Sequence, residues 1–465
     1  MSKKAFRQKR TFNRAKQLAY GTITCLGRHT ITGIISSCGR QFKDWSYAYR
    51  VFGNKRIDIE KLFDVARESI LEELKPEQMI VAHMDDTIFK KTGKKVAGTA
   101  WRRDPLGPPF HTNFIWGQRF LQISMALPNG EENCQAKAIP IDLHHCPTIK
   151  KLPKDADVQQ RKIFNEQQRI AKLSKQGSLR IRALRSKLDM CGSKERELVI
   201  SVDGSYTNAT VLKSLPQRVT LIGRIRKDAK FYGLPGEQSV VGRKKVYGDR
   251  IPTPEQIRQS NDIPWGNVKA WSAGKSHDFN IKVIKDLRWR AAGKNYNLKL
   301  LIIRPLSYRL TKSSRLLYRQ PAYLICTDNN LSSQKILQAY LWRWEIEVNF
   351  RDEKTILGCG EAQVRNSESV KNIPAFVTAL YAFIHLAIHR SCKNRNNSIL
   401  PRPKWYPTNS EQRITTSEII NLFRAHLWVK PSNNNFSGFL KKEHLNKSLR
   451  NQTNPLTAAV LYARK

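Results

Sequence analysis

The segment YLWRWEIEVNFRDEK (340–354) sets Tyr340, Arg343, Glu347 and Lys354 at i, i+3, i+7 and i+14. At about 100° per residue these four fall within an arc of about 60° on a helix. A phenol, two cations and a carboxylate then share one narrow stripe. Apolar residues flank it: Trp342, Ile346 and Phe350 on one side, Leu337, Leu341, Trp344 and Val348 on the other. A carboxylate on a helix buried along both flanks needs a cation or a metal. Two readings stand open. One is an i, i+4 ion pair between Arg343 and Glu347 that only steadies the helix. The other is an acid held ready for a ligand.

Two more acids end apolar runs. MIVAHM (79–84) leads into Asp85-Asp86-Thr87, and ELVISVD (197–203) ends on Asp203 before Gly204. Either alone reads as a turn former or a cap. With Glu347 they make the set that two-metal phosphoryl transfer requires, several carboxylates shared between two cations about 4 Å apart. An all-oxygen set suits Mg2+, which keeps some of its waters.

The elements that must position these acids can be read from the texture of the chain. Residues 1–75 carry apolar residues at helical spacing, as in RHTITGIISSC and IDIEKLFDVARESILEEL, with Thr30 or Thr32 and Asp58 as helix openers, and read as a helical DNA-binding domain, an ordinary helical subdomain being the alternative. Residues 76–228 run as three strands, a basic helix, a strand, a helix and a strand, with ELVISVD as a buried strand and VTLIGRIR (219–226) as the last. Residues 229–328 are β-rich, and so long a stretch reads as a separate inserted β unit. Residues 329–392 hold one long helix (332–357) followed by VKNIPAFVTALYAFIHLAIHR (370–390). Residues 393–465 are basic and Asn-rich, with one helical piece at 415–428. The fold class is α/β, with mixed strand directions.

Charge names the partner class. The 465 residues hold 82 Lys and Arg against 38 Asp and Glu, a formal net charge of +44. With 10 Trp, 14 Tyr and 18 Phe also available, the polyanion to expect is nucleic acid. No uninterrupted apolar run of about 18 residues suggests a membrane span. The N-terminus has no apolar signal region. Eight scattered cysteines without a CxxC pair read as reduced thiols of a cytoplasmic protein.

The spacing Tyr-x2-Arg-x3-Glu-x6-Lys, an Asp before Thr after a first strand, and an Asp before Gly after an apolar strand resemble the DDE transposases of bacterial insertion sequences, in the branch named for those four residues. LIGRIRKDAKFY and GRKKVYG are also similar to segments of that family, and the resemblance runs from about residue 20 to 390. It implies a ribonuclease H-like core with a β-rich insertion, and catalysis through Asp86, Asp203 and Glu347 holding two Mg2+ ions, for which Mn2+ can substitute. Asp86 is taken as the first acid because it precedes Thr87; the adjacent Asp85 is its alternative, since a one-residue slip reverses the strand face. The resemblance also implies that Tyr340, Arg343 and Lys354 contact phosphates at a transposon end. The double-stranded partners would be transposon ends and target DNA, bridged by a homodimer in a synaptic complex beside the nucleoid. One Trp of the insertion, Trp265, Trp271 or Trp289, could stack on a base taken out of the duplex; packing between strands is the competing reading for each.

Other signals carry less. Gly274-Lys275-Ser276 has Lys269 where a phosphate-binding loop needs Gly. His385 and His389 lack the Glu of a metalloprotease helix. His144-His145-Cys146 has no second ligand pair. The basic helix at 161–187 is either a solvated face or a DNA contact. Two other functions remain in view: a non-catalytic DNA-binding remnant or repressor, and a general two-metal nuclease without strand transfer.

Overall fold

The computed structural model describes residues 3–104, 107–108, 110, 113–130, 134–237, 242–309, 313–393, 414–432, 456 and 459–460. Four helices open the chain: α1 (Lys9–Thr24), α2 (Ile31–Ser37), α3 (Ser46–Gly53) and α4 (Ile59–Glu73). The Thr30 hydroxyl accepts from the Gly33 amide and the Asp58 carboxylate from the Lys61 amide. Each satisfies a donor that a helix start leaves free. Next come β1 (Ile80–Lys90), β2 (Ala100–Arg103), β3 (Phe114–Pro128), β4 (Ala136–His145), α5 (Val158–Ala171), α6 (Leu173–Met190), β5 (Leu198–Val202), the short α7 (Ala209–Leu212) and β6 (Val219–Arg224). This is the strand and helix order expected for 76–228, with the basic helix split in two and β2 added.

Then follow β7 (Phe231–Tyr232), α8 (Pro254–Gln259), β8 (Gly266–Ser272), β9 (Lys275–Trp289), β10 (Leu298–Ile303), β11 (Ser307–Tyr308), β12 (Leu317–Tyr318) and β13 (Ala322–Cys326). These residues are inserted in sequence, yet most of their strands do not stand apart as the expected separate unit. They continue one mixed sheet of order β2-β3-β1-β5-β6-β13-β10-β9-β7, with β4 also on β3 and β8 also on β9. The joint is β13 against β6, where Leu324, Ile325 and Cys326 pair with Arg224, Gly223 and Ile222. Leu324, Ile325, Cys326 and Ile222 are buried, on both faces, so the sheet has no reason to break there.

The last described helices are α9 (Ser333–Trp342), α10 (Trp344–Thr355), α11 (Ser369–Lys393) and α12 (Thr416–Ser432). The single helix expected over 332–357 is two helices meeting at Arg343. There the hydrogen bonds tighten, Arg343 N to Tyr340 O and Ile346 N to Arg343 O. α11 is long and apolar enough to cross a membrane, but 72% of its apolar window is buried inside the fold. It packs on β4, α4 and α3, and Phe376 meets Phe52 edge to face. The N-terminal helices therefore share one core with α11, Phe89, Phe120 and Leu357. Of the C-terminal region 393–465, the described residues are 393, 414–432 with α12, 456 and 459–460.

The sheet's two faces are covered differently. Ile80, Ala82 and Met84 of β1, with Leu198, Ile200 and Val202 of β5, pack with Ile181, Leu184 and Leu188 of α6. Val81 of β1 and Val199 of β5 pack with Ile336, Leu337 and Ala339 of α9. Even-numbered β1 residues thus face α6 and odd-numbered ones face α9, as the pleat requires.

Candidate active site

β1 and β5 run parallel in register from Ile80↔Leu198 to Met84↔Val202. β5 stops there, while β1 stays paired with β3 as far as Lys90↔Gly117. Asp85 and Asp203 are the next pair in this register. Residues level with each other on parallel neighbours share a face, so both turn toward α9 and α10. Asp85 and Asp86 therefore stand inside a strand, where β1 has lost one neighbour, and not at a strand end as the sequence suggests.

The odd–even alternation decides which acid meets the helix. Asp85 Oδ2 is 3.3 Å from Arg343 Nη1, and Arg343 Nη2 is 2.8 Å from Glu347 Oε1. Asp86 points to the opposite face. There the Tyr206 hydroxyl donates to it at 2.7 Å, and Arg119 Nε is 3.4 Å away. The expected placement of Asp86 with Asp203 and Glu347 is thus corrected: Asp85 stands on their side of the sheet.

Burial and the charge of Asp203 push the Asp85 carboxyl up to about 7, with Arg343 pulling the other way. Two acids are close enough to resist a second negative charge. Asp203 is oriented by its own loop. Ser205 donates to its Oδ1 through the amide at 3.0 Å and the hydroxyl at 2.7 Å, and the Thr207 hydroxyl binds its carbonyl.

The remaining signature residues follow β1 along the stripe. The guanidinium of Arg343 lies 5.6 Å from the Tyr340 ring, and Lys354 Nζ lies 5.7 Å from the ring of Phe89, further along the odd face of β1. Burial pushes the Tyr340 phenol up and the Lys354 amine down. A cavity of about 630 Å3 borders this stripe, lined by Tyr340, Arg343, Lys137, Arg319, Arg351 and Trp271 among others. A second cavity, of about 820 Å3, opens past Gly204 and Thr207 and is lined by Arg224, Arg226, Lys227 and Lys230.

The three tryptophans separate. Trp271 closes the β8 hairpin onto α9, its amide donating to the Gln338 side chain at 2.7 Å and its carbonyl accepting from it. Trp265 lies under Lys282 and Arg304. Trp289 packs against Phe231 and borders the second cavity. Trp271 lines the same cavity as Tyr340 and Arg343.

Sequence reasoning missed the layer beneath the acids. His83 and Ser201 are paired two residues before Asp85 and Asp203. Ser201 Oγ is 2.6 Å from His83 Nδ1 and donates to the Ala339 carbonyl. Burial first, then Arg343, pushes the imidazole down to about 3, so it is neutral. Below α10, Asn349 donates to the Ala138 carbonyl and accepts from the Tyr381 hydroxyl. Fully buried Glu353 accepts from Gln122 and Thr378. A polar residue spaced three or four from an apolar stripe was the available signal, and it does not distinguish a buried anchor from a solvated face.

The signals set aside have structural explanations. Gly274, Lys275 and Ser276 lie at the β8–β9 hairpin turn and the start of β9. His145 stacks on Phe120 and Cys146 is buried. His385 meets Tyr381 and Thr416, and His389 lies 3.8 Å from Glu73.

The DDE superfamily endonuclease family matches residues 3–277. The chain belongs to this family. No curated protein matches the chain. Membership implies phosphodiester cleavage, and DDE endonucleases generally use divalent metals. The matched span holds Asp85, Asp86 and Asp203 and stops before Glu347, so the third acid rests on its geometry alone. Asp85, Asp203 and Glu347 offer only hard oxygens, the chemistry that suits Mg2+ or Mn2+. Asp85 is buried and feels the charge of Asp203, a repulsion that a bound cation would relieve. Among the described residues, no three His, Cys, Asp or Glu side chains are already gathered at ligand spacing; Arg343 bonds to two of the three acids instead. The residues fit a divalent cation in kind, with an arginine holding the acids.

Proposed function

We propose that this DDE endonuclease is a transposase with a ribonuclease H-like core, which cleaves DNA at the ends of its element and joins them to target DNA. The observation that carries this reading is the meeting of Asp85, Asp203 and Glu347 through adjacent parallel strands and Arg343. The order β4-β3-β1-β5-β6, with β1, β5 and β6 parallel and β3 antiparallel, supports the ribonuclease H-like core.

Asp85, Asp203 and Glu347 would hold the metal. Bound divalent ions would stabilise charge on the attacking and leaving oxygens of an in-line displacement. Everything else is work for the chain's own side chains. Tyr340, Lys354 and the cations around the two cavities hold the phosphates of the strand in register with the acids. In the first step a water oxygen attacks phosphorus and the bond to the 3′ oxygen breaks, leaving a 3′-hydroxyl. In the second that hydroxyl attacks a target phosphate and displaces another 3′ oxygen. Ser205 fixes one Asp203 oxygen, leaving the other free to face the site.

DNA binding away from the acids has a candidate surface on the N-terminal helices. Lys9, Arg10, Asn13, Arg14, Gln17 and Arg40 line a recess of about 490 Å3 with no acid among them. Arg14 and Arg40 both lie over the ring of Tyr47. Burial, then Arg10, Arg50 and Arg56, lowers the hold of Arg14 on its proton, the mark of crowded positive charge. We assign end binding to this face and bridging of two ends to a homodimer.

The test is cleavage of a plasmid carrying the DNA that flanks the gene, with Mg2+, with EDTA, and with Asp85→Asn, Asp203→Asn and Glu347→Gln. Breaks at the element's ends that need metal and all three acids support the reading. Breaks of equal yield in any DNA would make the protein a general nuclease. Normal cutting by the variants would refute the site.

A further inference from the structure

We propose that Arg343 is a positioning residue that stands in for a cation between Asp85 and Glu347, and gives up that place when a DNA phosphate draws it away. Metal loading and DNA binding would then promote one another. The inference rests on the reading of Asp85, Asp203 and Glu347 as the metal site.

Three observations carry it. Arg343 spends its two Nη groups on the two acids, one from a strand and one from its own helix, at 3.3 and 2.8 Å. That bridge holds the carboxylates toward one point before any metal arrives, and it neutralises part of their charge. Second, the bridge is incomplete. Arg343 Nε is buried without a hydrogen-bond partner, and so is the Nε2 of His83, whose imidazole is close enough to feel the guanidinium's charge. Arg343 Nε is a buried donor and, with Nδ1 donating to Ser201, His83 Nε2 is a buried acceptor; buried polar atoms are rarely left unpartnered. Third, the same side chain lines the cavity shared with Lys137, Arg319 and Arg351 and with two acids, Glu345 and Asp352, that pair with Lys137 and Arg351; four cations against two acids leave a surface of net positive charge for a phosphate. A guanidinium has a fixed fork of donors. Nitrogens given to a phosphate are withdrawn from the acids.

The consequence is a coupling that must be reciprocal. Without DNA, a metal ion has to displace Arg343 from two carboxylates. With a phosphate in the cavity, the arginine has another partner and the acids are open. The arrangement would suppress metal loading until a substrate strand is present.

The experiment measures Mn2+ binding directly, by loss of the free-ion signal in electron paramagnetic resonance, with the full chain and, where DNA is added, a duplex already cut at the element's tip so that it holds no bond to cleave there. Wild type, Arg343→Gln, Arg343→Lys, Asp85→Asn and Glu347→Gln are each titrated with and without that duplex. Thermal unfolding confirms that each variant is folded. We expect Arg343→Gln to bind Mn2+ about tenfold more tightly than wild type in the absence of DNA, a typical size for coupling between sites. DNA should tighten Mn2+ binding to wild type and add little to Arg343→Gln. Arg343→Lys should fall between them, since it keeps the charge and loses the fork. Were Arg343 only a structural brace, Arg343→Gln would bind Mn2+ more weakly, and that result overturns the proposal. Equal tightening of both proteins by DNA overturns it as well. If Asp85→Asn and Glu347→Gln bind Mn2+ as wild type does, the metal-site reading itself fails, an outcome distinct from failure of the arginine exchange.

Discussion

Glu353→Gln tests how α10 is anchored beneath the acids. Glu353 is fully buried on the helix that carries Glu347. Gln122 donates to it at 3.4 Å and Thr378 at 3.2 Å. Burial holds its carboxyl up at about 8 against an ordinary 4.5, with those two hydrogen bonds pulling the other way. The folded protein therefore keeps a proton that the unfolded chain releases from about pH 4.5 upward. Where the native state binds more protons, stability falls as pH rises. At about 1.4 kcal/mol per pH unit, the loss from pH 4.5 reaches about 3 kcal/mol at pH 7 and about 5 kcal/mol at pH 8, and then levels off. Glutamine is neutral throughout and can still accept from Gln122. The variant's stability relative to wild type should therefore climb across that interval. Paired thermal unfolding curves from about pH 5 to about pH 8 would show the gap open. Infrared spectra near neutral pH should show the carbonyl stretch of protonated carboxylic acids in wild type, and the variant should lose the share of Glu353 and keep that of Asp85. A gap that stays constant with pH, or no such loss, would refute the account of a neutral acid under α10.

Three further outcomes follow from the geometry. Asp85→Asn should abolish metal-dependent cleavage, whereas Asp86→Asn should keep it and instead lower stability by about 1–3 kcal/mol, because Tyr206 and Arg119 lose a charged partner; cleavage and melting of the two variants side by side decide this. Replacing Arg10, Arg14 and Arg40 together by Ala should weaken DNA binding and reduce the slope of log affinity against log salt by about 3, at about 0.9 per phosphate contact, while cleavage of DNA already bound is spared. Gly358→Ala should destabilise the joint between the N-terminal helices and the core by at least about 1 kcal/mol, since Gly358 has φ +60° and a Cβ there would lie 2.4 Å from His29; an unchanged melting temperature would contradict it.

Much of the architecture was legible because it depends on local pattern. Thr30 and Asp58 announced helix starts through their side-chain chemistry. The strands of ELVISVD and VTLIGRIR stood out as β-rich apolar runs, and both are central strands. The 229–328 strands were legible too, but not their destination. An apolar strand buried on both faces carries no label for which sheet it joins, and β13 pairs with β6 across a long insertion. The polar layer of His83, Ser201, Asn349 and Glu353 was silent for a related reason. Its members are single polar residues whose partners come from other elements.

The choice between Asp85 and Asp86 shows where sequence reasoning stops. The expectation rested on Thr87, a neighbour in sequence. The face each aspartate takes rests on parity along β1, and parity depends on an origin that only the sheet supplies. That origin is the register Ile80↔Leu198, which sends Ile80, Ala82 and Met84 toward α6 and leaves Val81, His83 and Asp85 facing α9. All the residues from Ile80 to Met84 are buried, so burial on both faces erased the alternation that would have marked the two sides. Further along, Phe89 keeps the same parity and meets Lys354, while Arg343 meets Asp85. The Tyr-x2-Arg-x3-Glu-x6-Lys spacing on the helix and the odd residues of β1 are thus two halves of one contact, and the helical half was readable only because its stripe lies between apolar flanks. An acid that meets the helix stripe must lie on the odd face, so the helix signature, and not the threonine beside Asp86, points to the aspartate that contacts Arg343.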